Sequence, residues 1–138
     1  MHQDMHTSTA WAQLSVAGEG VKVALCPAQV PCGTVAAKVF ANAKVTVKPV
    51  SEEVDVKSVL TKVSLGEVDA GVVYVTDVRS AGDKVKGIEI PADVNASTTY
   101  PIATLTKAPN AAAAAAFTAY VLSPDGAAVL SADGFAKP

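Results

Sequence analysis

Val21–Gly33 reads VKVALCPAQVPCG, and the fold turns on this stretch. The apolar run Val21–Leu25 predicts a buried strand. A short loop follows and closes with Pro31, Cys32 and Gly33 at the start of a helix. Proline suits a first helical position, because its φ is already fixed and its missing N–H would have been unpaired there. Thr34–Ala41 continues the helix. A strand that runs into a helix N-terminus is where open α/β sheets hold small ligands, anions above all.

Downstream, the same alternation repeats. Val45–Val50 alternates valines with lysines and contains Pro49, the pattern of a half-exposed edge strand. Val54–Leu65 is the clearest amphipathic helix: Val56, Val59, Leu60 and Val63 fall on one face, and Glu52, Glu53 and Asp55 gather at its start. Ala70–Val75 (AGVVYV) predicts a strand buried on both faces. Asp77–Ala81 reads as a short helix. Lys86–Ile90 and Tyr100–Thr106 read as strands, joined by a polar loop over Ala92–Thr99. Asn110–Leu122 contains six consecutive alanines, and alanine is the best helix former. Ser123 and Pro124 open a last helix, Pro124–Asp133, with Gly134 and then Phe135 as its stop. Upstream, Thr9–Leu14 reads as a helical turn, and residues 1–8 as a frayed or added terminus. Helices alternating with strands predict an α/β fold with a mixed, mostly parallel sheet covered on both faces.

Composition excludes several functions. The 138 residues suit one ordinary domain, and half of them are hydrophobic, which argues against a disordered chain. The net charge is −2 and Arg79 is the one arginine, so there is no basic patch for nucleic acid. No run approaches the length of a membrane-spanning helix. The first residues lack the basic and apolar regions of a signal peptide, although a mature exported protein would have lost one.

Nucleophilic catalysis at Cys32 would need a nearby base. The two histidines, His2 and His6, both lie in the first six residues, ahead of the predicted core, which argues against an enzyme. His2, Asp4 and His6 have a spacing that could chelate a metal, but a frayed terminus is the plainer reading. Zinc is disfavoured at Cys26 and Cys32, because two cysteines without nearby histidines fall short of four ligands. With five residues between them, these two could pair in an oxidising compartment or stay thiols in the cytosol. The third candidate is an anion pocket. Two helix starts, before Cys32 and before Val56, offer unpaired backbone N–H groups, and Tyr74 ends the AGVVY strand with a hydroxyl that can donate. The cluster of Glu52, Glu53 and Asp55 would repel an anion if it faced such a pocket.

VALCPAQVPCG, SEEVDVKSVLTKVSLGEVDAGVVYVTD, the YPIA segment and the closing SPDGAAVLSADGFAKP together resemble the periplasmic molybdate-binding proteins of ABC importers, most of all the actinobacterial, usually lipoprotein, members. The resemblance covers about Ala10 to Pro138. It implies a type II periplasmic-binding fold, in which two α/β lobes close on molybdate or tungstate. It implies that Cys32 and Val56 bind the oxyanion through backbone N–H and Tyr74 through its hydroxyl, with no cofactor, no further metal and no catalysis. The implied partners are the oxyanion, an ABC permease and a first lobe. Full members are nearly twice this length, so the chain resembles the C-terminal half. Residues 9–102 would be an incomplete second lobe. Residues 103–138 would be a return strand and two helices that pack on the first lobe or swap between chains. The implied location is the cell envelope, outside the cytoplasm. Two competing readings are a ligand-sensing module of a transcription regulator, against which stands the lack of a basic helix-turn-helix, and a thiol-active domain using Cys26 and Cys32.

Overall fold

The computed structural model describes residues 2–7 by their backbone and residues 20–136 in full. Its centre is the unit built from the opening stretch. Strand β2 (Val23–Leu25) is wholly buried and runs through the loop into helix α1 (Pro31–Ala43). Cys32, Val35, Ala36 and Val39 turn the inner face of α1 onto the sheet. The chain then passes through β3 (Ser51–Glu52), α2 (Val56–Ser64), β4 (Ala70–Tyr74) and α3 (Val75–Ala81).

Strand β2 lies between β3 and β4 and is parallel to both, with Leu25 opposite Glu52 and Ala24 opposite Gly71. Gly71 permits a close approach of α2. A Cβ there would lie 2.5 Å from Cγ1 of Val59, a side chain with no exposed surface. Val23, Val39, Val59 and Val72 form the fully buried centre of the core. The sheet continues with β1 (His2–Thr7), antiparallel to β4, and then β5 (Ile88–Glu89). Strand β6 (Ser97–Thr99) also pairs with β1. The sheet is therefore mixed, with its parallel part at β3-β2-β4, as alternation predicts.

Three local expectations are corrected. His2–Thr7 is an interior strand rather than a frayed end; its pairing with β4 overrides the weak strand propensity of HQDMHT. Val45–Val50 does not form a strand. Pro49 cannot donate, and pairing with β2 begins just beyond it, where Val50 N–H donates to the Val23 carbonyl at 2.9 Å. Tyr100–Thr106 is irregular, and the strand lies earlier, at Ser97–Thr99, in the stretch read as a loop; Pro101 removes a ladder donor directly after Tyr100. The helical turn expected at Thr9–Leu14 lies outside the described residues.

Helices α4 (Ala111–Val121) and α5 (Pro124–Asp133) end the chain and meet at 63°. Gly126 allows their turn to close, since a Cβ there would lie 2.3 Å from the Tyr120 carbonyl. No residue of α4 is buried, and Phe117 and Tyr120 are more than half exposed, as are Leu122 and Val129. The far end of α5 is anchored: the Arg79 guanidinium on α3 donates to the carbonyls of Ser131 and Ala132 at 3.2 and 2.7 Å. Among the described residues, no single helix is long and apolar enough to cross a membrane.

Candidate functional site

From β2 the chain goes out to β3 on one side and then to β4 on the other. That reversal is a topological switch point, and in open α/β sheets the crevice at the carboxyl ends of the strands there is the ligand position. Cys32 follows β2, Val56 follows β3, and Tyr74 ends β4. The three parallel strands therefore bring all three to one edge of the sheet.

The first wall is the β2–α1 loop. Cys26 and Cys32 form a disulfide with their Cα atoms 5.8 Å apart, tying the end of β2 to the first turn of α1. Neither is free to act as a thiol while bridged. Gly33 packs hard on the loop: a Cβ would fall 2.0 Å from the Pro27 carbonyl oxygen, so a side chain is excluded. Val30 N–H donates to the Pro27 carbonyl at 3.1 Å, and the Thr34 hydroxyl donates to the Ala28 carbonyl at 2.8 Å. Helical geometry leaves the amides of Cys32 and Gly33 without an intrahelical acceptor, and Val30 at the cap position supplies no side-chain oxygen. The positive end of α1 is thus uncapped by its own sequence.

The second wall is the start of α2. Asp55 caps it, its carboxylate accepting from Ser58 N–H at 2.8 Å. These helix-start hydrogen bonds hold the Asp55 carboxyl below the usual range. Val56, the first helical residue, keeps an amide with no intrahelical acceptor. Glu53 is occupied elsewhere. It pairs with Lys62 at 2.7 Å and accepts from the Ser51 hydroxyl, and the Lys62 contact is the main cause of its lowered pKa. Lys62 also donates to Ser51 at 2.7 Å. Two of the three acidic residues that looked like a barrier to an anion are therefore engaged, Glu53 with α2 at Lys62 and Asp55 with its own helix start, while Glu52 is exposed on β3.

The third wall is Tyr74, 4 % exposed. Its hydroxyl is the one buried side-chain polar atom without a partner among the described residues. Burial pushes its pKa up to about 12, so it remains a neutral donor. Its N–H donates to the Asp77 carboxylate at 3.0 Å. Burial raises the Asp77 pKa, against the lowering effect of that bond and of the Lys57 charge.

The arrangement offers neutral donors at helix starts, which is how anions are held without a countercharge. The described residues contain no cluster of three metal-ligating side chains; the side chains of His2, Asp4 and His6 lie outside them. Cavities lined by the described residues lie elsewhere. One, of about 640 Å³, is lined by Glu89–Ala92 and Asn95–Ser97; another, of about 480 Å³, lies between α2 and the end of α3. Sequence reading missed the Gly33 contact, the Thr34 clamp and the Ser51–Glu53–Lys62 network. A small residue after a helix-opening Pro-Cys pair was the available signal for the first.

The family model described as Bacterial extracellular solute-binding protein matches residues 1–136. The molybdate-binding protein ModA of Mycobacterium bovis and that of Mycobacterium tuberculosis are each 38% identical over 119 residues, 86% of this chain and 46% of theirs. The chain thus spans about half the length of the curated relatives it matches. A Clostridium difficile substrate-binding domain assigned to a molybdenum ABC transporter superposes with a TM-score of 0.79 at 27% identity, over 99% of this chain and 64% of that one. The Azotobacter vinelandii periplasmic molybdate-binding protein shares the fold, with a TM-score of 0.70 at 18% identity over 99% of this chain and 66% of that one. The α/β fold with its parallel β3-β2-β4 unit, the match along nearly the whole chain and the mycobacterial identity agree: the chain belongs to the bacterial extracellular solute-binding protein family.

Proposed function

We propose that this chain carries one wall of an oxyanion site in the solute-binding component of a molybdate or tungstate ABC importer. The amides of Cys32 and Val56 and the hydroxyl of Tyr74 are the donors. The observation that carries this reading is the unpartnered buried hydroxyl of Tyr74, at the same sheet edge as two helix starts with unpaired amides. The names of the mycobacterial and clostridial relatives support the choice of ligand. The protein works by binding rather than catalysis, outside the cytoplasm and on a lipid anchor, and it delivers its ligand to a permease.

Strand β1 and residues 20–102 belong to the second lobe in this reading. Residues 103–138 belong with the part of the relatives that this chain does not span. The exposed Phe117, Tyr120, Leu122 and Val129 support that division. The same face is open to a swapped second copy of the chain.

Calorimetric titration with molybdate, tungstate and sulfate tests the reading. Molybdate and tungstate should bind, more weakly than to a full-length relative, and a separately supplied first lobe should tighten both. No heat of binding at millimolar molybdate, with or without that lobe, would sink the proposal.

A further inference from the structure

Glu53 N–H donates to the Leu25 carbonyl at 2.8 Å, which puts Glu53 at the carboxyl end of β2, the edge shared by Cys32, Val56 and Tyr74. At most about 11 Å of chain separates it from Val56. The starts of α1 and α2 make that edge positive, so a free carboxylate there would be drawn to the amides an oxyanion needs. The Glu53 carboxylate is not free. Its side chain is only 15 % exposed, and it pairs with Lys62 Nζ at 2.7 Å. The Ser51 hydroxyl accepts from Lys62 at 2.7 Å and donates to the same carboxylate, which closes a ring of three side chains. Lys62 stands beyond Val56 on α2, about 9 Å further along the axis. The ring therefore holds the carboxylate back along the body of α2, away from its N-terminal amides.

We infer that Lys62 is a positioning residue for the oxyanion site: it acts through Glu53, holding that carboxylate off the α2 amides and cancelling its charge. Coulomb energy scales with the product of the charges, so a doubly charged oxyanion feels an unpaired carboxylate twice as strongly as a singly charged one does. The Lys62–Glu53 pair as a whole is neutral, which suits an edge that holds its ligand with neutral donors. Breaking the pair from its two sides has opposite consequences. Loss of Lys62 leaves one negative charge at the edge, and loss of the Glu53 charge leaves one positive. The inference rests on the oxyanion reading of the site and adds to it a residue that acts on the ligand only through Glu53 and its charge.

Molybdate titration of the parent, Lys62→Met, Glu53→Gln and the double variant gives a complete cycle. Met keeps most of the apolar stem of Lys62, and Gln keeps the shape of Glu53. Lys62→Met should weaken binding about three- to tenfold, by repulsion of a dianion at roughly 10 Å and by competition for the amides. Glu53→Gln should tighten binding about two- to fourfold, because the Lys62 charge is then uncompensated. The double variant, neutral like the parent, should return to within about twofold of it. Raising the salt from about 0.1 M to about 1 M, which shortens the screening length about threefold, should shrink the Lys62→Met loss. A lost contact with no electrostatic role would give neither the rescue nor the salt effect. Unchanged binding in Lys62→Met, weaker binding in Glu53→Gln, or a double variant as weak as Lys62→Met overturns the inference. If Lys62→Met does not fold, Glu53→Gln decides alone: tighter binding supports the inference, and unchanged or weaker binding overturns it. If the parent does not bind molybdate, the oxyanion reading fails and takes the inference with it. If the parent binds and the cycle shows no coupling, the inference fails alone.

Discussion

Tyr74 carries a hydroxyl that the fold buries and leaves unpaired, so stability and binding should respond to it in opposite directions. Replacing it with Phe removes an unsatisfied polar group, and should raise stability at pH 7 by about 1 kcal/mol. The same change should weaken oxyanion binding at least about tenfold, since hydrogen bonds to charged groups are worth roughly twice neutral ones. Urea denaturation and calorimetry would check the pair of effects. The pH dependence has a definite sign. The folded pKa of Tyr74 is raised from 10.0 to about 12. Its neutral form therefore contributes stability fully present below pH 10 and lost as the pH rises toward 12. Tyr74→Phe should flatten that alkaline loss.

The β2–loop–α1 element is held by one covalent bridge and one close approach. The Cys26–Cys32 disulfide closes a short loop, and chain-entropy arguments give such a loop about 2 kcal/mol. The Cys26→Ser/Cys32→Ser variant should lose that much stability in denaturant, and the reduced parent should match it. Equal stability of parent and variant would mean that Gly33 and Thr34 already fix the loop. This element was legible in the sequence because its signals are local: an apolar run, a proline at a first helical turn and a glycine. The amphipathic α2 and the five-residue apolar β4 were legible for the same reason. Strands β1 and β6 were not. HQDMHT and STT have little apolar pattern, and they become strands only by pairing with each other and, for β1, with β4 and β5. Such pairing is set by chain-distant partners that periodicity does not report.

At the scale of the whole molecule, the switch point gathers three chain-distant residues. Their types were readable in the sequence, whereas the engagement of Glu53 with Lys62 and of Asp55 with its helix start required the fold. The other feature at this scale is the pair α4 and α5, anchored at one end by Arg79 and with much of its apolar surface uncovered. The central claim, that backbone amides at two helix starts hold the ligand, is tested most directly by following amide resonances during a molybdate titration. The account predicts saturable shifts led by the amides of Cys32, Gly33 and Val56. Saturable shifts confined to Glu89–Ser97, or none at those three amides at millimolar molybdate, would contradict it.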